Sequence, residues 1–458
     1  MDAPGQASGP PRWREVFGGR LGRLTFGLFL LEVLGAVQIL VVTTVMPAVV
    51  ADLGGINLYG WAFSAASLAT VMTIPLAGRA TDRLGPVRPL AVMLGVFAVG
   101  TLVAGLAPSM PVLIIGRFLQ GSGAGAQFAV SIATVAIAYP ERLRPRVLAL
   151  LAAAWVVPGL VGPSIGAALA STVGWRWAFL FLLPVLGLAA ALVFPGLSRL
   201  PAHRPSGAEA PIRWAIQLGI GAAALLGGVT DARWATLPLV AVGLALVIPA
   251  LRRLVTGDDA ASRRALSWAL AAGFLVTFAF FATDGFVPLM LTRVRGLSVF
   301  EASLIITLAT VAWSAGSWWQ SRVAATAAPS RLVGAGGTAI ALGTVGVAAG
   351  LVHWPLAIPF AAWVVAGVGI GVAYPTVYLV TMDRAGTGTE AGTVALLLVI
   401  DTLGTAIGTG LGGSAIAVAT ARGAGLSAGL AGAFALALLG AVGLVGVAPR
   451  LGRAPAAS

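Results

Sequence analysis

The stretch LAGRATDRLGPVRPL, residues 76–90, places three arginines and one aspartate between two long apolar runs. Charge is scarce elsewhere, because 59% of the 458 residues are hydrophobic and only 9% are charged. In a soluble protein roughly a quarter of the residues are charged. The stretch is therefore typical of a short turn at a membrane surface, between two helices that cross the bilayer.

Apolar runs of about 20 residues recur on both sides of this turn, and a run of that length crosses a bilayer as a helix. They lack the alternation of lipid-facing barrel strands. The sequence therefore predicts an all-α polytopic membrane protein. Fourteen spans are predicted, and the seventh and eighth are so short that twelve spans are the alternative. The predicted spans are 25–49, 60–79, 89–107, 111–138, 147–170, 176–195, 214–230, 234–251, 267–291, 300–321, 332–352, 355–381, 391–418 and 425–447.

The arginines orient these spans, because the cytoplasmic loops of membrane proteins carry an excess of basic residues. With a cytoplasmic N-terminus, twenty-two of the 28 basic residues lie in cytoplasmic segments, five lie in external segments, and Arg117 lies within a span. This distribution predicts that both termini are cytoplasmic, in the cell (inner) membrane of a bacterium. It also explains the net charge of +13 as a topology signal that faces anionic lipid, so no nucleic-acid partner is expected.

The spans divide the chain into two helical domains, a linker with two short additional spans, and two cytoplasmic tails. The polar, basic N-terminal segment precedes an apolar run that is too long for a signal peptide, so no cleavage is expected. The predicted bounds are 1–24 for the N-terminal tail, 25–195 and 267–448 for the two domains, 196–266 for the linker and 449–458 for the C-terminal tail.

Several classes of function are excluded by the residue inventory. The sequence has no cysteine, which excludes disulfides, thiolate metal sites and cysteine catalysis. Its two histidines, His203 and His353, fall at or near predicted loops, so we expect no metal centre within the bilayer. All basic residues are arginine, whereas a nucleotide-binding P-loop needs a lysine. A membrane enzyme would need acids and histidines that converge near one membrane face, and the sequence has no such cluster. We therefore expect neither an enzyme nor a cofactor.

Within the opening stretch, Gly78, Asp82, Arg83, Gly85 and Arg88 form the pattern G-x-x-x-D-R-x-G-x-x-R. The pattern resembles the signature loop that follows the second span in the major facilitator superfamily. The first glycine permits close helix approach, the aspartate can accept charge-assisted hydrogen bonds, and the second glycine supplies a tight turn. Such a latch can form in one conformation and break in another. The alternative is a plain anchor of basic residues at the cytoplasmic surface.

Three further stretches extend the resemblance along nearly the whole chain: GRFLQGSGAG at 116–125, PGLVGPSIGA at 158–167 and WRWAFLFLLP at 175–184. The second resembles the glycine-proline motif of antiporters. Its motif residues are Gly159, Gly162, Pro163 and Gly166. Glycines at this spacing indicate close helix packing, or else a bend that moves during transport.

The order of six spans, a weak pair and six more spans resembles the fourteen-span drug:proton antiporter branch of this superfamily. Gln38 stands where most of that branch carries an aspartate in span one. The resemblance implies two six-helix bundles, related by pseudo-two-fold symmetry, with the additional pair of helices between them and a site at their interface.

Ionisable residues within spans cost about 2.5–3.5 kcal/mol each at the centre of a helix, so retained ones need a reason. Four stand out: Glu32, Arg117, Asp284 and Asp401. Each acid is a candidate for proton coupling or substrate binding. The alternatives are a structural pair with Arg117 for Glu32, a place near the outer interface for Asp284, and a hydrogen bond to a neighbouring span for Asp401. Arg117 needs a carboxylate or water as a partner. We expect it to modulate the pKa of a nearby acid, and the alternative is a purely structural pairing.

Gln38 joins these candidates because of its position in span one. It follows Glu32 by six residues, a net rotation of about 240°, so the two side chains do not share a helix face. Gly285 and Pro288 follow Asp284 by one and four residues, and we expect them to loosen the helix there.

Together these features predict a secondary transporter and not an enzyme. We expect it to export apolar or amphipathic small molecules, such as drug-like compounds, in exchange for protons by alternating access. The alternatives are proton-coupled uptake of a small metabolite, and lipid or glycolipid export by the same fold. The expected partners are a small-molecule substrate, protons and the lipid bilayer, and we expect a monomer.

Overall fold

The computed structural model describes residues 13–140, 142–154, 156–197, 212–230, 237–254, 260–352, 354–385 and 390–452. Within these ranges the chain forms helices and no strand. The helices α1 to α18, in chain order, are Trp13–Phe17, Gly19–Leu53, Tyr59–Leu84, Val87–Gly105, Met110–Ala138, Arg144–Ala153, Val156–Thr172, Trp177–Leu180, Leu182–Leu197, Ile212–Thr230, Leu237–Leu254, Ala260–Asp284, Val287–Arg293, Val299–Val323, Pro329–Ala348, Ala357–Asp383, Glu390–Ala421 and Gly425–Val447. His203 and His353 lie outside the described residues.

Each predicted span coincides with one of these helices or with two consecutive ones. In the described part of the chain, eleven helical segments are long and apolar enough to cross a membrane, and Val157–Thr172 is a shorter apolar helix. These segments confirm the predicted all-helical, multi-span membrane protein. The choice between fourteen and twelve spans stays a prediction.

Three predicted spans are interrupted, and one physical rule explains all three interruptions. The helices pause after Ala153, Leu180 and Asp284. Prolines 158, 184 and 288 follow at a distance of four or five residues, and a proline ring clashes with the carbonyl of the residue four positions earlier. Span five is therefore α6 and α7, span six is α8 and α9, and span nine is α12 and α13.

A pair of glycines at four-residue spacing recurs at matching places in the two parts of the chain. Gly121 and Gly125 on α5 pack against the backbone of α3, and Gly367 and Gly371 on α16 pack against the backbone of α14. A side chain at any of these positions would overlap a neighbouring backbone or side-chain atom. Small residues let helix backbones approach closely in membranes, so both parts use the same helix-packing device.

The two parts meet mainly along two helix pairs, α3 with α17 and α7 with α14, and α2 also contacts α13 and α14. The additional pair, α10 and α11, packs as a hairpin, and α10 contacts both α3 and α17. One large apolar core joins residues of both parts, while a second core lies within residues 16–197 alone. This arrangement places the four ionisable candidates within spans, Glu32, Arg117, Asp284 and Asp401, in the interior.

Candidate functional site

Arg117 on α5 is 3% exposed, so its guanidinium must find acceptors within the protein. Its Nη1 donates to Gln38 Oε1 at 2.8 Å and to Gln120 Oε1 at 2.9 Å. Its Nε donates to the Ala62 carbonyl at 3.0 Å. Gln120 in turn donates to Thr101 Oγ1 at 3.0 Å. The guanidinium therefore joins α2, α3 and α5 through neutral acceptors.

These partners are amide and carbonyl oxygens, whereas the sequence predicted a carboxylate or water. The alternative of a structural pair with Glu32 is not observed, because no hydrogen bond or ion pair joins the two side chains. Six residues separate Glu32 from Gln38, which is about 9 Å along a helix. Gln38 is the residue of α2 that faces α5 at the level of Arg117.

Glu32 is also buried, at 4% exposure. Beside it, the Leu31 carbonyl accepts a hydrogen bond from Gln127 Nε2 on α5. Helices α2 and α5 are thus linked at two levels, by Gln127 and by Arg117. A role of Glu32 in proton coupling stays a prediction.

Asp284 is the last residue of α12 and is 6% exposed. Its Oδ1 accepts a hydrogen bond from Trp363 Nε1 on α16 at 3.1 Å. The next residue, Gly285, accepts a hydrogen bond from the Tyr59 hydroxyl on α3 at 3.1 Å through its carbonyl. This carboxyl, the outer acid, therefore lies at the break between α12 and α13, beside a contact between the two parts of the chain.

Asp401 on α17, the inner acid, is 5% exposed. Its backbone carbonyl accepts a hydrogen bond from Thr277 Oγ1 on α12 at 2.9 Å. Gly273 leaves room for the carboxyl, because a Cβ at that position would lie 2.6 Å from Asp401 Oδ1. The Tyr374 hydroxyl on α16 lies close to the carboxyl group. Neither carboxyl oxygen, however, has a hydrogen bond of standard geometry to a described residue.

The two acids do not share one site. Gly273, which contacts the inner acid, and Asp284 are eleven residues apart on α12, which is about 16 Å along a helix. The inner acid lies deeper in the helix bundle, and the outer acid lies towards the predicted external end. Within the described residues, neither carboxyl forms an ion pair.

A row of aromatic rings connects the two acids. Trp363, the donor to the outer acid, stacks on Phe280 with ring centroids 4.9 Å apart. Phe280 contacts Trp313 at 5.5 Å, and Trp313 contacts Tyr374 at 6.2 Å, next to the inner acid. The first two rings are buried, and the last two are half-buried. The row forms an apolar wall with one carboxyl group at each end.

The signature loop joins α3 to α4 through Gly85, whose φ of 73° lies in the left-handed region. Asp82 is half-buried, and Arg83 and Arg88 are exposed. Within the described part of the chain, the Asp82 side chain has no hydrogen bond or ion pair. A Cβ at Gly78 would meet nothing within 4 Å, so the close approach predicted there is not present in this conformation.

The span-five motif lies on the buried face of α7. Its members Gly159, Gly162, Pro163 and Gly166 are all buried. Gly159 contacts Thr310 on α14, while Gly162 and Gly166 pack against α2. The motif therefore holds α7 close to a helix of each part of the chain. Movement at this motif stays a prediction.

The two parts are closed against each other at the predicted external end. A Cβ at Gly60 on α3 would lie 2.7 Å from Gly413 Cα on α17, so the two backbones touch. One turn further along α3, Ser64 Oγ donates to the Ala406 carbonyl at 2.8 Å and contacts Thr409 Oγ1 at 3.1 Å. We call these contacts, together with the Tyr59 hydrogen bond to Gly285, the external seal.

The arrangement of helices can be compared with known proteins. The family profile of the Major Facilitator Superfamily matches residues 28–409. The chain belongs to this superfamily. A probable multidrug-efflux transporter of Mycobacterium tuberculosis is 28% identical over 96% of both chains. A multidrug transporter protein of Bacillus subtilis is 25% identical over 62% of this chain and 54% of its own length.

Solved structures of superfamily members have the same fold. A bacterial homologue of the human lysosomal transporter Spinster, in an inward-facing and unoccupied conformation, matches with a TM-score of 0.66 at 18% identity, over 96% of this chain and 100% of the other. A D-xylose-proton symporter also matches with a TM-score of 0.66, at 13% identity, over 93% and 97% of the two chains. At these identities the likeness shows the fold alone.

Membership in the superfamily confirms that the chain is a membrane transporter for a small-molecule substrate and not an enzyme. It also confirms the resemblance stated from the signature loop and the other motifs.

Sequence reasoning missed several residues that contact the candidates. Trp363, Tyr374 and Tyr59 stand singly within apolar runs, and such aromatic residues most often anchor a span at the membrane interface. Gln120 follows Arg117 by three residues, and side chains three apart share a helix face. That spacing was the one available signal for a partner of Arg117.

Proposed function

We propose that this transporter exports apolar or amphipathic small molecules in exchange for protons, by alternating access of the space between two six-helix bundles. The observation that carries the proposal is the pair of buried acids, Asp284 and Asp401, at the two ends of the aromatic row. A carboxylate is costly in a low-dielectric interior without a charged partner, and taking up a proton removes that charge.

In the proposed cycle, an acid takes up a proton from the external side and releases it to the cytoplasm. Substrate and proton compete for the acidic site, and the membrane potential supplies about 2.3 kcal/mol per charge per 100 mV. The aromatic row offers the apolar surface that pockets for small organic molecules use. The external seal is a feature of the state that loads substrate from the cytoplasmic side. Similarity to a probable multidrug-efflux transporter and to a multidrug transporter supports drug-like compounds as substrates of this chain.

The remaining assignments follow from the same scheme. The bundles comprise residues 25–195 and 267–448, both termini are cytoplasmic, and the protein works as a monomer in the cell membrane of a bacterium. Glu32 is a third candidate for proton binding, and Gln38 and Arg117 are further candidates for coupling or substrate binding. In the opposite conformation, with the seal broken, Asp82 closes the latch at the cytoplasmic end.

Proton movement in everted membrane vesicles tests this proposal. The vesicles are acidified inside, and a panel of lipophilic dyes and drugs is added while a pH-sensitive dye reports the interior. An antiporter releases protons from the vesicle when a substrate is added. The variants are Asp284→Asn, Asp401→Asn and Glu32→Gln, which keep the size of the side chain and remove the titrating group. Asp383→Asn, at an exposed acid on α16, is the matched control.

We expect at least one of the three buried-acid variants to lose substrate-induced proton release while the control retains it. Wild-type behaviour in all three variants would contradict the assignment of the acids. Compound uptake that follows protons in the same direction would indicate symport of a metabolite, and lipid transfer without dye transport would indicate lipid export.

A further inference from the structure

The two bundles meet along two lateral seams that face the lipid. One seam lies between α3 and α17, and the other lies between α7 and α14. In each seam a helix of the first bundle contacts a helix of the second. Within the described helices, these two seams are the lateral routes by which a molecule dissolved in the bilayer can reach the space between the bundles.

The first seam is covered by the hairpin of α10 and α11. Ala215, Leu218, Ala222 and Leu226 recur at three- and four-residue spacing along α10, and all four are at most 1% exposed. A Cβ at Gly410 on α17 would lie 2.5 Å from Leu226 Cδ2 and 2.9 Å from Ser64 Oγ on α3. Three helices therefore meet at one point, and Leu226 closes the seam from the lipid side.

The hairpin is built as a tight unit. A Cβ at Gly221 on α10 would lie 2.8 Å from Leu246 Cβ on α11. Gln217 Nε2 on α10 also donates to the Leu246 carbonyl at 2.9 Å. The outer face of α11 meets lipid, as Val242 shows with 50% exposure. The hairpin therefore covers the α3–α17 seam with two layers of helix.

The second seam has no such cover within the described part of the chain. Gly159 on α7 contacts Thr310 on α14. The residues that directly follow these two, Leu160 and Val311, are 44% and 43% exposed. One residue is a rotation of about 100°, so both side chains flank the seam on its lipid-facing side. The α7–α14 seam therefore opens directly to the bilayer.

We propose that apolar and amphipathic substrates pass between the bilayer and the space between the bundles at the α7–α14 seam, because the hairpin closes the α3–α17 seam. This inference rests on the proposed function and adds the side from which substrate arrives. It also explains why the chain carries the additional pair of helices, since they restrict lateral access to one side.

Single-cysteine labelling tests this proposal directly, because the natural chain has no cysteine. Val311→Cys places a thiol beside the open seam, and Val242→Cys places one on the lipid-facing side of the hairpin. Both replace a valine of similar exposure. Each variant is treated with N-(1-pyrenyl)maleimide, a bulky apolar reagent, in everted vesicles. Export of Hoechst 33342, which partitions into membranes, is then followed over a range of dye concentrations.

We expect the adduct at Val311→Cys to raise the apparent KM for the dye at least fivefold while the maximal rate stays within twofold. The adduct at Val242→Cys should change neither value by more than twofold. Equal values for both adducts, or a larger effect at Val242→Cys, would overturn the proposal. A fall in maximal rate alone at Val311→Cys would also overturn it, since that result means blocked movement of the bundles.

Leu160→Cys provides a second variant on the other side of the seam, should Val311→Cys fail to fold.

The unlabelled variants distinguish failure of the proposed function from failure of the proposed lateral entry. If they export no dye and move no protons, the proposed function fails. If they export dye normally and the seam adducts leave the apparent KM unchanged, only the lateral entry is refuted.

Discussion

Gly60→Ala is expected to weaken the external seal, because the added methyl has no space between α3 and α17. It would lie 2.7 Å from both Gly413 Cα and the Thr409 carbonyl oxygen. Carbon atoms in contact prefer separations of about 3.5–4.0 Å. Both obstacles are backbone atoms, so a change of rotamer cannot relieve the overlap. The two helices must therefore separate by about 1 Å at this point.

The cost of that separation follows from the hydrogen bonds of the seal. Ser64 donates to the Ala406 carbonyl at 2.8 Å and contacts Thr409 Oγ1 at 3.1 Å, and Tyr59 donates to the Gly285 carbonyl at 3.1 Å. Each such bond contributes about 0.5–1.5 kcal/mol net. Loss of two of them costs the closed state about 1–3 kcal/mol, which changes its population relative to an open state by a factor of about 5–150.

Spin labels on the cysteine-free chain report this shift. Val173 and Val352 follow α7 and α15 at the predicted external end of the two bundles, and both are exposed, at 57% and 66%. Cysteines at these two positions, each carrying a nitroxide, give a distance distribution by pulsed electron paramagnetic resonance. We expect Gly60→Ala to move population from the shorter to the longer distances.

Gly95→Ala is the matched control, since a Cβ there meets nothing within 4 Å. The control should give the distance distribution of the unsubstituted chain. The reasoning is refuted if Gly60→Ala and Gly95→Ala give the same distribution while both remain folded, because the Gly60–Gly413 contact would then not hold the seal.

Three further substitutions probe the buried polar contacts and one exposed pair. Gln38→Leu removes an acceptor from the buried Arg117 guanidinium, and it should lower the free energy of unfolding by about 1–3 kcal/mol in detergent denaturation. Gly273→Ala places a methyl 2.6 Å from Asp401 Oδ1, so substrate-induced proton release should fall, with an overpacking cost of about 1–3 kcal/mol in the same denaturation assay. Asp52→Asn breaks a half-exposed ion pair with Arg176, and the loss of stability should stay below about 1 kcal/mol.

The fold was largely predictable, because the length and hydrophobicity of a span both follow from the thickness and low polarity of the bilayer. A helix in lipid must satisfy its backbone groups internally, so long apolar runs become helices whatever their detailed sequence. The final predicted span, 425–447, has the same bounds as α18. The interruptions after Ala153 and Asp284 agree with the i−4 clash of Pro158 and Pro288, but Pro47 and Pro75 lie within unbroken helices, so a proline alone did not predict a break.

The correspondence between the two parts of the chain lies in glycine pairs, Gly121 with Gly125 and Gly367 with Gly371, and the sequence alone did not indicate it. Glycine is abundant here, with 61 residues, so a pair at four-residue spacing carries little information until its partner backbone is known.

The partners of the buried charges were beyond prediction for a different physical reason. A buried cation most simply predicts an anionic partner, so Arg117 was expected to need a carboxylate or water. Its acceptors nevertheless include the amide oxygens of Gln38 and Gln120. Neutral acceptors leave the guanidinium without a hydrogen-bonded carboxylate, while Asp284 and Asp401 lie in the second bundle and form no ion pair within the described residues. An arginine with a carboxylate partner would hold that acid permanently ionised. Keeping the cation and the two acids in separate bundles leaves each acid able to exchange its charge for a proton, which is what proton-coupled movement of the bundles requires.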